Sequence, residues 1–145
     1  MKVVIQRSKK SNVIVEEKIV GEIDKGMVLL VCMEKGDGQS NIEKAAKKIL
    51  GLRIFSDDQG KMNLSLKQME GKILAISQFT LSWDGVKGNR PSFDNSMPPN
   101  EANELFESFC DLLSKEDVVV EKGVFGASME VNIQNDGPVT FSLDF

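Results

Sequence analysis

From Met27 to Met33 the chain reads M-V-L-L-V-C-M, seven residues without a charged or hydroxyl side chain. A strand points successive side chains to opposite faces, so a short continuous apolar run suits a strand that is covered on both. The segment is expected at the centre of a sheet.

The flanking sequence supplies elements to surround it. Lys2 to Gln6, Val13 to Val15 and Ile19 to Ile23 read as short strands, making the N-terminal third mostly β. In S-N-I-E-K-A-A-K-K-I-L-G, residues Ile42, Ala45, Ala46, Ile49 and Leu50 follow helical spacing. Ser40 with Glu43 forms a capping box there, and Gly51 supplies the stop. Lys44, Lys47 and Lys48 fall on the polar face, where solvation accounts for them. L-R-I-F-S-D-D-Q-G-K-M-N then reads as a strand leaving into a polar turn, and Lys72 to Leu81 as a second buried strand. A long loop, S-W-D-G-V-K-G-N-R-P-S-F-D-N-S-M-P-P, precedes a second amphipathic helix at about Asn100 to Ser114, with Ala102, Leu105, Phe106, Phe109, Leu112 and Leu113 inward. Val118 to Val120, Met129 to Ile133 and Val139 to Phe145 return to β. The expected fold is a mixed α/β protein in layers, a largely antiparallel, barrel-like sheet system with two main helices packed on it, in one domain over residues 1–145.

Composition narrows the chemistry. With 41% hydrophobic residues in 145, the chain has enough apolar material for one compact core. No apolar run approaches the ~20 residues that cross a bilayer, and the N-terminal stretch does not resemble a signal peptide, so a cytoplasmic protein with no membrane partner is expected. The chain has no histidine, which removes Ser-His and Cys-His catalysis and the usual zinc sites together. Carboxylates are scattered without ligand spacing, and no metal or cofactor is expected. Cys32 and Cys110 lack C-x-x-C spacing and read as reduced packing residues. A formal charge of −4 argues against a broad phosphate-neutralising surface, so no DNA partner is expected, while a local contact to a nucleic-acid end stays open.

Four segments could carry chemistry. S-Q-F-T-L, Ser77 to Leu81, puts hydroxyls and an amide into an apolar strand. These groups either bond to neighbouring loops at the strand's end or form a site in which Thr80 is a nucleophile or orienting hydroxyl. In the second case Gln78 and the backbone amides of Phe79 and Thr80 would stabilise an oxyanion. The nucleophile role is the weaker one, since no histidine can take its proton. K-G-N-R-P-S-F carries Lys87 and Arg90 on the long loop, either solvated or contacting phosphate or ribose. In F-G-A-S-M-E-V, Phe125 and Met129 are either core residues or a surface for a base. The fourth is N-D-G-P-V-T-F: Asp136-Gly137 is a good hairpin turn, yet Pro138 opens the alternating strand that follows it. That proline is either a stiff exit from the turn or a rigid backbone feature used in recognition.

In this order, and together with V-V-I-Q-R and L-R-I-F-S-D-D-Q-G-K-M-N-L-S, these segments resemble the D-aminoacyl-tRNA deacylases, dimeric proofreading enzymes that remove D-amino acids from tRNA. The resemblance covers nearly the whole chain. It implies a homodimer acting on the acceptor end of aminoacyl-tRNA, cleaving the D-aminoacyl ester and also the achiral glycyl ester. It further implies a cis Gly137-Pro138 peptide that reaches into the partner subunit's site and presents backbone carbonyls, leaving no room for an L side chain. Ser77, Gln78, Phe79 and Thr80 would line the ester pocket, Phe125 with Met129 would accommodate the terminal adenosine, and Arg7 would brace the Gly-Pro turn. Lys87 and Arg90 are possible tRNA contacts. Catalysis in the family is thought to rely on the substrate's own 2′-hydroxyl, with the protein supplying position and backbone hydrogen bonds.

The chain departs from the family's pattern at Ser82-Trp83-Asp84, where the aromatic that commonly follows S-Q-F-T-L has moved by one position. On a strand that shift changes faces, so Trp83 inherits no role. S-K-K-S-N near the N-terminus is also more basic and polar than the family's usual pattern. A related branch that acts on mischarged L-alanine carries a different motif in place of S-Q-F-T, so Ser77 to Thr80 point to the D-specific branch. Two rival functions stand beside this reading: a catalytically silent tRNA-end or nucleotide-binding module of the same fold, and a generic ester or peptide hydrolase using Thr80.

Overall fold

A computed structural model describes residues 1–86 and 88–145. Ten strands and two helices follow the order β1 (Lys2–Ser8), β2 (Ser11–Val15), β3 (Lys18–Ile23), β4 (Gly26–Cys32), α1 (Gln39–Leu50), β5 (Phe55–Ser56), β6 (Met62–Leu64), β7 (Lys72–Ser77), α2 (Pro99–Ser114), β8 (Val120–Lys122), β9 (Glu130–Asn132) and β10 (Asn135–Asp144). The main sheet runs β10-β1-β4-β7-β8, which puts the apolar M-V-L-L-V-C segment on its middle strand.

Alternation along β4 divides the core. Met27, Leu29 and Val31 face one way and pack with Ile42, Ile49, Phe106 and Phe109 of the two helices. Val28 faces the other way and joins Leu74 and Ile76 of β7 against Val13 and Ile23 of the small sheet β3-β2-β9. The result is three layers, helices over the main sheet over a three-stranded sheet. Full burial of side chains such as Leu29 and Leu74 contributes about 1.5–3 kcal/mol each.

The barrel-like expectation needs correction, whereas the largely antiparallel one holds, with five of the seven strand pairs among the described residues antiparallel. Among the described residues there are three separate sheets and no closed barrel. In the main sheet β10-β1-β4 is antiparallel, whereas β4-β7 and β7-β8 are parallel. A parallel pair needs a crossover, and the segments containing α1 and α2 are those crossovers.

Three local expectations also change. Gly38, rather than Ser40, caps α1; the Asn41 side chain accepts from the Gly38 N–H at 3.0 Å, and Ser40 lies inside the helix. The buried strand expected over 72–81 ends at Ser77, after which Phe79–Ser82 form a 3₁₀ turn. Asp136-Gly137 is not a hairpin turn. β10 is already paired at Asn135 with Ser8 and resumes at Thr140 with Gln6, so the four residues Asp136 to Val139 bulge out opposite the single residue Arg7. The bulge, on the sheet's edge strand, accommodates a proline that has no N–H to give to a ladder.

Candidate functional site

The end of β7 sets the first part of the site. Its ladder with β4 reaches Val31 opposite Ser77, and the Gln78 N–H still donates to Val31 O at 2.7 Å. The chain then coils into the 3₁₀ turn, where Leu81 N–H returns to Gln78 O at 3.2 Å. The Phe79 and Thr80 N–H groups open that turn without an acceptor among the described residues.

Beneath the turn lies a mostly apolar cavity of about 240 Å³, lined by Val31, Met33, Ser77, Gln78, Phe79, Met97 and, from α2 and the 125–126 turn, Ala102, Phe106 and Phe125. Pro99 starts α2 at its first turn, where the missing N–H costs nothing. The small Ala102, one helical turn before Phe106, leaves room on the helix's inner face. Phe125 packs on Phe106 with ring centroids 6.2 Å apart.

None of the cavity-lining residues is ionisable. The nearby Cys32 thiol is pushed up to about 11, by burial first and then by the Glu34 carboxylate, so it is neutral at physiological pH. Thr80 is exposed, and its Oγ1 accepts from Gln78 Nε2 at 2.6 Å. An amide N–H cannot take a proton, so no described contact activates Thr80 as a nucleophile. The arrangement can instead hold an uncharged reacting group near two backbone donors without a described acceptor, the kind of group that stabilises a developing oxyanion.

The expected residues divide into three groups. Ser77, Gln78, Phe79 and Phe125 meet at the cavity, with Thr80 at its rim. Met129 is not with Phe125: it packs with Val13, Val28 and Leu74 on the opposite face of the main sheet. Gly126, at φ +75, turns the chain between the two. Arg90 is exposed, and Lys87 lies outside the described residues.

Gly137 and Pro138 form the third group, exposed on the bulge and joined by a cis peptide bond. Arg7 spans the bulge from β1. Its Nε donates to Asp136 O at 3.1 Å and Nη1 to Ile54 O at 2.7 Å. The bulge lies on β10, three strand spacings from β7, and at the level of Met27 rather than Val31. With strands ~4.8 Å apart and ~3.3 Å of rise per residue, Gly137-Pro138 and Ser77 are on the order of 20 Å apart within one chain.

Sequence reasoning missed Met33, Met97, Ala102 and Phe106 as cavity residues, having assigned Phe106 and Ala102 to the core alone. It also missed Phe93, whose ring meets Phe79 edge to face at 4.9 Å and ties the long loop to the 3₁₀ turn. The spacing of Ala102 and Phe106 on α2, beside the P-P start, was the available signal.

The family model described as D-Tyr-tRNA(Tyr) deacylase matches residues 4–144. A D-aminoacyl-tRNA deacylase of Geobacter sulfurreducens is 49% identical over 144 residues, covering 99% of this chain and 95% of the relative. Among solved structures, a c-Myc DNA unwinding element binding protein superposes with a TM-score of 0.94 at 38% identity, covering 100% of this chain and 99% of that one. A probable eukaryotic D-amino acid tRNA deacylase, with a TM-score of 0.83 at 18% identity and coverage of 99% and 98%, shares the fold.

Proposed function

The chain belongs to the D-Tyr-tRNA(Tyr) deacylase family, and we propose on that premise that it hydrolyses the ester of D-aminoacyl-tRNA to free tRNA and D-amino acid. The observation that carries the mechanism is the cavity at Ser77-Gln78-Phe79, which is lined by no ionisable side chain and lies beside a 3₁₀ turn whose Phe79 and Thr80 N–H groups have no acceptor among the described residues. The protein therefore contributes position and oxyanion stabilisation, and the terminal 2′-hydroxyl of the RNA serves the proton chemistry. Glycyl-tRNA, with no side chain to exclude, is cleaved too.

The terminal adenosine enters the cavity against Phe125, with Met129 as the further expected contact. Water attacks the ester carbonyl, the tetrahedral oxyanion is held by the Phe79 and Thr80 N–H groups, and the water's proton passes by way of the RNA 2′-hydroxyl to the departing ribose O3′, leaving free tRNA and the D-amino acid. Gln78, already bonded to Thr80, orients the rim of the site.

Selection for the D form is assigned to Gly137-Pro138 of a second copy. The separation on the order of 20 Å along one sheet supports this, because an exposed turn so far from its own cavity is free to complete the cavity of another copy. An exposed backbone turn over the ester excludes an L side chain while ignoring what a D side chain is, which is selection by rejection. The active species is a homodimer in which Arg7 and Asp136 hold each turn. Arg90, with Lys87 three residues before it in the sequence, supplies local positive charge for RNA phosphate. The chain's net charge of −4 does not favour the DNA contact that one relative's name describes.

No helix among the described residues is long and apolar enough to cross a membrane, and a cytoplasmic location follows from a tRNA substrate. The test is a paired assay with one tRNA charged with the D or L form of the same amino acid. Rapid loss of the D ester alone is expected. Comparable or faster loss of the L ester contradicts the reading, and saturable binding with no loss of either favours a silent binding module.

A further inference from the structure

Residues that follow the 3₁₀ turn and residues on either side of Phe93 line a second cleft of about 240 Å³, among them Ser82, Trp83, Asp84, Ser92, Asp94 and Asn95. The ester site uses none of these residues. Trp83 directly follows the 3₁₀ turn, its N–H donating to Thr80 O at 3.3 Å, so the cleft adjoins the rim where Thr80 sits. Its opposite wall is fixed by Lys35 N–H donating to Asn95 O at 2.9 Å and by the Glu34–Ser96 bridge.

The cleft holds polar groups with unused capacity. Ser82 is 2% exposed, and its Oγ has no hydrogen-bond partner among the described residues. A buried hydroxyl of this kind calls for a partner. Asp84 Oδ1 accepts the Val86 N–H at 3.0 Å and Asp94 Oδ2 accepts the Ser92 hydroxyl at 2.7 Å, which leaves one oxygen of each carboxylate without a described partner. The Asn95 side-chain amide likewise has no described partner. Trp83, the chain's one tryptophan, is 37% exposed and offers a flat apolar wall.

Two carboxylates repel phosphate, so the cleft suits an uncharged ligand that donates hydrogen bonds and stacks. An unpaired cytosine does both. Its N4 amino group donates to a carboxylate, its N3 and O2 accept from the side-chain amide of Asn95, and its face stacks on an indole. We propose that the Trp83 cleft is a second nucleotide subsite, which takes the cytosine preceding the terminal adenosine of the acceptor end. The inference rests on the proposed tRNA substrate. Trp83 and Asp94 here bind and position RNA, and neither touches the reacting ester.

The lone tryptophan reports on the subsite directly. A short acceptor-stem hairpin ending in C-C-A is expected to quench Trp83 fluorescence, and adenosine alone is not. A hairpin ending in C-U-A, whose base presents a carbonyl to Asp94 and Asp84, is expected to bind roughly tenfold more weakly. Trp83→Ala should weaken C-C-A binding roughly tenfold, while Trp83→Phe retains it and hydrolysis of D-aminoacyl-adenosine is unchanged in both. Equal quenching by C-C-A and adenosine overturns the subsite, as does an equal loss by Trp83→Ala on D-aminoacyl-tRNA and D-aminoacyl-adenosine. Cytosine-dependent quenching in a protein that cleaves no D ester would instead uphold the subsite and reject the hydrolase reading.

Discussion

Arg7 meets Asp136 twice, through Nε to the main-chain carbonyl at 3.1 Å and through an ion pair to Oδ2 at 3.2 Å. The guanidinium is the only β1 side chain opposite the four-residue bulge, and it also reaches Ile54 O. A planar fork can satisfy these partners together, which a single ammonium cannot. Arg7→Ala is therefore expected to lower D-ester cleavage by about tenfold or more, with Arg7→Lys intermediate. Steady-state rates on D-aminoacyl-tRNA check this; unchanged rates in Arg7→Ala would remove Arg7 from the turn's support.

Gly137 sits at φ +125, where a side chain is strained, and a Cβ there would lie 2.8 Å from Val139 Cγ2 and 2.9 Å from Arg7 Nη2. Gly137→Ala should displace the bulge and the guanidinium together, costing about 1–3 kcal/mol locally. Because the bulge is exposed, the melting temperature should fall by a few degrees while activity falls much further. Thermal unfolding and D-ester turnover, measured on the same preparation, separate the two effects.

Backbone donors and the Thr80 hydroxyl make opposite predictions. Phe79→Pro removes the Phe79 N–H at the first position of the 3₁₀ turn, where proline fits, and should cost on the order of 10²–10³ in kcat. Phe79→Ala is the control for the lost ring contact with Phe93. Thr80→Ala should cost less than about tenfold, whereas loss of a true nucleophile would cost more than about 10³.

Burial pushes the Cys110 thiol up to about 12 and, with Glu34 as the second cause, the Cys32 thiol up to about 11, from an ordinary 9.0. Above pH 9.0 the unfolded chain releases thiol protons that the folded chain keeps, so stability falls as pH rises through the window up to about 12. Cys110→Ala and Cys32→Ala should each flatten that slope. Urea unfolding at about pH 8 and about pH 10 measures it, and both thiols should label slowly in the native protein.

The central strand and both helices were legible because each rests on local periodicity: the unbroken run from Met27, and the inward faces at Ile42 to Ile49 and at Ala102 to Leu113. The parallel half of the main sheet was not, since pairing direction depends on crossovers that no single segment records. Gln78 marks a similar limit. Apolar spacing continues through Leu81, but only the hydrogen bond to Val31 O and the coil that follows reveal where the strand stops. At the site, Ser77 to Phe79 and Phe125 line one cavity, while Met129 packs in the other core cluster, an arrangement that depends on the turn at Gly126 and that no local pattern records. Trp83, set aside by a strand-face argument, lies beyond the strand altogether, and its position beside Ser82 could be read only in three dimensions.

Completion of the site across two copies can be measured by mixing Phe79→Pro with Gly137→Ala after unfolding and refolding them together. Each variant alone should be nearly inactive on D-aminoacyl-tRNA. In the mixture, half of the dimers are mixed and each carries one intact cavity facing one intact turn, so about a quarter of wild-type activity should return, still D-selective. No recovery, with both variants folded and dimeric, would contradict a turn supplied by the second copy.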